Sequence, residues 1–518
     1  MSARLILAAA ISLGLAPLAQ AEDAATGQEA VVANPLLKAS TLEFEFPPFD
    51  QLKDTHYGPA IAQGMREQIA EVEAIANQKD APTFDNTIVA MEKTGALFYR
   101  ATTVFFNLAG TVTNDAMNQV RADVAPKLAA HMDAILLNDA LFQRVKSLYE
   151  RKSELGLDAE SERLLWRYYT DFVRAGAKLD APQKEALKKL NAEIATLQTK
   201  FTQNVLDETN ASAVYVEDRK QLDGLSDNAI AAAEAAAKAA GKDKGYLIAL
   251  MNTSGQPATA SLKDRALRQK LQETSERRAA QGGAYDNREI AARLARLRAE
   301  RAQLLGYENF AAYVLEDQTA LTTTAVNKMM AELAPAAVAN AKQEAAEIQK
   351  IIDAEHADAK DGGFQVGAAD WSYYTEKVRA EKFAFDQSQL RPYFEINKVL
   401  EDGIFFAANK LYGLSFKERH DLPKYHPTLR IFDVFDHDGS KLAILISDMY
   451  ARPSKRGGAW MNSYVAQSHL LGRKPVVALH LNVPEPPKGE PTLLTWDEAN
   501  TAFHEFGHVL HGMFSNVK

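Results

Sequence analysis

The chain has 518 residues, 47% hydrophobic and 25% charged, with a net charge of -9 and no cysteine. Such a chain can bury enough core for two lobes, and its dispersed acidic charge contains no basic block to suggest a nucleic-acid partner. Without cysteine there are no disulfides, no thiolate metal ligands and no cysteine nucleophile, so any metal site here has to use histidine and carboxylate.

Arg4 precedes an apolar run from Leu5 to Leu18, and Ala19-Gln20-Ala21 follows before Glu22. A charged start, a short apolar middle and small residues at a cleavage site read as a secretory signal peptide. The run is too short to span a bilayer comfortably. The expectation is a signal peptide over 1–21, cleavage after Ala21, and a periplasmic protein with no membrane span.

From about Thr55 to about Ala211 the apolar spacing predicts successive long helices. The clearest runs from Pro182 to about Val205 with Asp180 as cap. Its Leu187, Leu190, Ile194, Leu197 and Phe201 form a seam for another helix, or the face of a plain core helix. An alanine-rich helix over 229–240 ends at Gly241. Tyr246 to Met251 reads as a short strand, followed by a turn-rich stretch at 252–257. An N-terminal helical lobe is therefore expected over 22–262 and a second lobe over 263–518. Helices resume to about Glu355 with breaks at Gly306 and Pro335, and Asp358 to Gly367 reads as a loop. Leu429 to Phe435 and Leu442 to Ser447 are strands joined by the turn Asp436-His437-Asp438-Gly439. Val476 to Val483 is a third strand, giving a small, partly antiparallel sheet ahead of the last helix.

That helix carries the chemistry. Thr495 and Glu498 fit a capping box, and the helix is expected to run through Phe514. His504, His508 and His511 fall on one side, and Ala499, Ala502, Phe503, Phe506, Leu510 and Met513 on the other. His504-Glu505-Phe506-Gly507-His508 is an HExxH motif. Histidines at i and i+4 can aim at one zinc ion, and Glu505 projects toward the position of an attacking water as its general base. His511 lies about 10 Å along the axis from His504, too far to share a tetrahedral ion, and reads as a supporting or structural histidine. A metzincin would have glycine at position 511 and histidine at position 514, so His511 and Phe514 exclude that class. A catalytic zinc takes three protein ligands, and Val509 to Lys518 contains no Asp or Glu.

The stretch from Phe503 to Gly512 resembles the active-site helix of the thimet oligopeptidase family of zinc peptidases. So do Tyr393 to Leu400, Leu411-Tyr412-Gly413-Leu414, Lys455 to Met461, Glu490 to Leu494, and Ala302 to Tyr307. The resemblance implies a mainly α, two-lobed helical zincin with its small sheet beside the active-site helix and a channel between lobes. It implies one zinc ion on His504 and His508, with Glu505 as base and short unfolded peptides as substrates of a monomer. Release of C-terminal dipeptides is the expected activity, with endo-oligopeptidase cleavage as the alternative. The family's pattern continues past Lys518 with a third ligand, a Glu, and with oxyanion donors, so the catalytic lobe is expected to be incomplete. A catalytically inactive truncated chain is the further alternative, and apolar surface is expected around the HExxH helix. A strand near Ala478 to Asn482 is a candidate for pairing with substrate, or a buried part of the sheet. Arg452, Lys455 and Arg456 are candidates for binding a peptide carboxylate, or a solvated basic loop.

Overall fold

The computed structural model describes residues 34–253, 255–357, 363–384, 387–487 and 489–518. The signal-peptide expectation and the first part of the loop at 358–367 lie outside the described residues. The N-terminal half is helical: α1 (Asp54–Ala76), α2 (Ala96–Ala109), α3 (Asp115–Leu136), α4 (Asp139–Glu150), α5 (Ala159–Ala175) and α6 (Ala181–Ala211). Asp180 and Gln183 close a capping box on α6, which outruns the sequence expectation at its C-terminal end. After it come β1 (Val214–Val216), α7 (Asp227–Ala239) and β2 (Tyr246–Ile248), with β1 and β2 paired antiparallel. Then follow α8 (Arg265–Glu276), α9 (Arg288–Leu304), α10 (Phe310–Leu315), α11 (Thr323–Glu355) and α12 (Ala368–Phe383). The α6 seam is a true helix–helix contact, since Leu190, Ile194, Leu197 and Phe201 pack on Ile290, Leu294 and Leu297 of α9.

Gly306 ends the α9 region at positive φ, as expected. Pro335 does not break its helix, for α11 runs through it. Proline removes one ladder hydrogen bond, but residues 331–344 are all exposed, so water can satisfy the carbonyl left without a donor.

A mixed sheet follows helical turns over 396–412. Its strands are β3 (Ser415–Arg419), β4 (Arg430–Phe435), β5 (Lys441–Tyr450), β6 (Trp460–Val465) and β7 (Val476–Val483), in the order β3-β4-β5-β7-β6. All neighbours are antiparallel except β5 and β7. The hairpin at 436–439 is where the sequence puts it, whereas β3 and β6 carry no strong alternating pattern and were not predicted. Every residue of β7 is buried, which explains its unbroken apolar run. Its Val476 and Ala478 join Ile61, Phe98, Phe105 and Leu108 of α1 and α2. On the opposite face, Val477, Leu479 and Leu481 meet the final helix, α13 (Trp496–Phe514). The sheet is thus a wall between the N-terminal helices and α13.

The α13 N-terminus is a complete capping box. Thr495 Oγ1 accepts from the Glu498 amide at 3.1 Å, and Glu498 Oε2 accepts from the Thr495 amide at 2.8 Å. Thr495→Ala removes one half of that exchange and is expected to lower stability by about 1 kcal/mol, read as a fall in urea midpoint at unchanged slope.

The contact between α3 and α6 includes a carboxylate, Asp133, whose Oδ1 accepts from Asn191 Nδ2 at 3.0 Å. Its other oxygen has no hydrogen-bond partner among the described residues. Burial, only partly offset by Asn191, pushes its pKa up to about 6 from 3.8. With the folded pKa raised, its stabilising contribution is complete below the unfolded value and is lost as pH rises through 6. Neighbouring His131 is pushed down to about 4 by burial, so its contribution runs the other way, but it is common to both proteins in a variant comparison. Asp133→Asn is expected to raise stability by up to about 3 kcal/mol at pH 8 and much less at pH 4. Equal gains in urea unfolding at the two pH values would contradict this.

Candidate functional site

The seating of α13 decides which residues face outward. Ala499, Ala502, Phe506, Val509 and Met513 are buried against the sheet, and a side-chain carbon at Gly512 would come within 2.4 Å of Met461 Cε on β6. The missing side chain there lets the last turns of α13 lie close on β6. One assignment of the core face is corrected: Phe503 is 44% exposed. It sits at the margin of the buried stripe, its ring lying over Gly403, while Val509 is the fully buried residue that the sequence reading omitted. Leu510 is only partly buried. Phe406, Leu411, Tyr412, Trp496 and Phe514 are likewise exposed, so the apolar surface expected around this helix is present.

His504 and His508 are both exposed on α13, with their Nε2 atoms 3.3 Å apart and ring centroids 5.0 Å apart. Two zinc–imidazole bonds of about 2.0–2.1 Å at a tetrahedral angle require nitrogens roughly 3.3 Å apart. The pair therefore fits two corners of such a site, although a hydrogen bond between one neutral ring and the other has the same length. Glu505 is half-buried. His511 is exposed on the same helix. Among the described residues no third His, Cys, Asp or Glu completes a metal-binding group.

Beside this helix, the outer edge of β6 is one of the two free edges of the sheet. Asn107 Nδ2 donates to the Ser463 carbonyl there at 3.0 Å. Backbone groups alternate sides along a strand, so Met461 shares that outward side. β7 lies between β5 and β6 with both edges paired. The expectation that its residues 478–482 pair with substrate is thereby corrected, and the buried-sheet reading holds.

The basic residues at 452–456 separate into two groups. Asp448, fully buried on β5, accepts from both terminal nitrogens of Arg452 (2.8 and 2.7 Å), from Lys455 Nζ (3.0 Å) and from Tyr425 (2.8 Å). His480 Nδ1 lies 3.2 Å from the same carboxylate, and its ring stacks on Trp460. Lys455 is also fully buried and donates to the Asp448 and Tyr450 carbonyls at 2.8 and 3.1 Å. Burial pushes the Asp448 pKa up, but Arg452, His480 and Lys455 outweigh it and hold the carboxyl far below its ordinary range. Burial pulls Lys455 down to about 8 and His480 down to about 4.

Arg452 and Lys455 are thus neither solvated nor available to a ligand: a buried carboxylate claims both. Only Arg456 is exposed, with its guanidinium 4.1 Å from the Trp460 ring. No motif marks Asp448 or His480; the signal in the sequence is an Asp and a His inside otherwise apolar strands, because buried ionisable groups need partners.

Comparison with known proteins agrees with this architecture. Residues 258–518 match peptidase family M3. The chain is 45% identical to the dipeptidyl carboxypeptidase of Escherichia coli (strain K12) over 485 residues, covering 94% of this chain and 70% of that protein. Identity to the dipeptidyl carboxypeptidase of Salmonella typhimurium is 44%, over 93% of this chain and 70% of the relative. Oligopeptidase A of Escherichia coli is more distant, 29% identical over 94% of this chain and 71% of its own length. The chain belongs to peptidase family M3, a family of metallopeptidases.

Proposed function

We propose that this protein is a zinc peptidase that releases dipeptides from the C-terminus of short, unfolded peptides. The observation that carries the reading is the 3.3 Å spacing of the His504 and His508 Nε2 atoms on one exposed face of α13, and the named activity of the 45% identical relative supports it. His504 and His508 hold the ion. Zinc, when bound, polarises the scissile carbonyl and acidifies water. Glu505 takes the proton of the attacking water on a carboxylate oxygen and returns it to the departing amine. The peptide adds to the outer edge of β6 through the backbone of Met461, a recognised mode of peptide binding. The helical lobe over 22–262 and the catalytic unit over 263–518 act as one monomer. Export to the periplasm, with cleavage after Ala21, belongs to the same proposal and rests on the residues of the first segment.

Two further readings have specific support. The likeness to oligopeptidase A favours internal cleavage, and cleavage of a peptide with a blocked C-terminus would select it over dipeptide release. Because no third metal donor is found among the described residues, a chain that holds zinc weakly and turns over little substrate is the second.

Glu505→Gln is expected to lower peptide turnover by roughly 10²- to 10⁴-fold without changing zinc content, measured by elemental analysis after dialysis. His508→Ala is expected to lose both turnover and zinc. Turnover unchanged by Glu505→Gln would overturn the assignment of the base. Absence of turnover in the unsubstituted chain would favour the weak-binding reading.

A further inference from the structure

The outer edge of β6 is open over only part of the strand. Backbone groups face outward at Met461 and Ser463, and the Ser463 carbonyl is already taken by Asn107 Nδ2 at 3.0 Å. Resting on the proposed addition of peptide to this edge, we propose that Asn107 is a specificity-determining stop. It stands in for a peptide amide at Ser463, confines strand pairing to Met461 and so sets the register of the peptide.

A side-chain amide carries the same N–H donor as a peptide group, and an added strand pairs with every second residue of an edge. A peptide reaching Ser463 therefore has to displace Asn107. That residue is well held in the last turn of α2. Its carbonyl accepts from the Gly110 amide at 3.2 Å and from Thr111 Oγ1 at 3.1 Å. The Gly110 carbonyl in turn accepts from the Arg456 amide at 3.0 Å, and the Thr111 carbonyl from Arg452 Nε at 2.7 Å. α2 also lies against this half of the strand, since Tyr464 is buried in one cluster with Phe105 and Leu108. Past β6 the chain bonds to itself: the His469 and Leu470 amides donate to the Val517 and Lys518 carbonyls at 3.3 and 2.7 Å.

The first half of β6 is different, because no strand pairs with its outer side at Met461. Gly512 follows His508 on α13 by one turn, about 40° further round the helix, and Met461 is the residue that lies against it. The position left open for pairing is thus beside the imidazole face. Backbone pairing reads no side chain, so one register is kept for peptides of different sequence.

The test is an N-methyl scan. One short peptide, and copies of it methylated at each backbone amide in turn, are bound to the full zinc-supplemented chain carrying Glu505→Gln and followed by fluorescence anisotropy. Each methyl group removes one backbone donor. A single amide is expected to be sensitive, its methylation weakening binding at least tenfold. With Asn107→Ala added, a second amide two residues from the first is expected to become sensitive at least fivefold. Asn107→Ser, whose hydroxyl is too short to reach Ser463, is expected to do the same and serves if the alanine variant does not fold. Damage to the fold weakens all the peptides alike and creates no second sensitive position. Two sensitive amides before Asn107 is changed, or a single one after it is changed, overturns the stop and leaves edge addition standing. No sensitive amide, or no binding of any peptide, overturns edge addition and the stop together.

Discussion

The seating of α13 on the sheet is the constraint on which the site depends. A helix can present HExxH usefully only if its rotation about its own axis is fixed, and here the opposite stripe fixes it. Phe506, Val509 and Met513 are almost wholly buried against β7 and its neighbours, and each such side chain contributes roughly 1.5–3 kcal/mol relative to exposure. Turning the helix by one residue would expose that stripe and bury the imidazoles. The capping box at Thr495 sets where the helix starts, and Gly512 sets how closely it approaches β6. His504 and His508 then share one exposed face beside a strand edge.

The second fixed point is the charged cluster on the other side of the wall. Asp448, Arg452, Lys455 and His480 lie at the join between β5, β7 and the loop leading into β6. Removing Asp448 would leave the buried Arg452 and Lys455 without their counter-charge, so the cluster depends on that one carboxylate. That loop also meets the N-terminal helices: Arg452 Nε donates to the Thr111 carbonyl at 2.7 Å, and Asn210 Nδ2 to the Pro453 carbonyl at 2.8 Å. The edge strand proposed to bind peptide is therefore held from below by buried ion pairs and from the side by the helical half.

Much of this was legible in the sequence, for physical reasons that differ by element. HExxH, the capping box, the α6 seam and the β4–β5 hairpin are local patterns whose spacing maps directly onto a helix face or a turn. The rank of β7 in the sheet was not legible, because an apolar run says that a strand is buried on both faces but not which strands flank it. The fates of Arg452 and Lys455 depended on Asp448, and no local rule links a carboxylate on one strand to cations on the following loop. Phe503 was misplaced because a residue at the edge of an apolar stripe goes to core or surface according to what lies opposite, here Gly403. Pro335 was overread as a break, since one missing hydrogen bond in an exposed helix is tolerable.

The central claim is that His504 and His508 together bind one zinc ion. X-ray absorption at the zinc edge on the loaded 518-residue chain tests it most directly. Two imidazole nitrogens at about 2.0–2.1 Å, reduced to one by His504→Gln, are the predicted result. A zinc shell without imidazole, or one that His504→Gln leaves unchanged, would contradict the account.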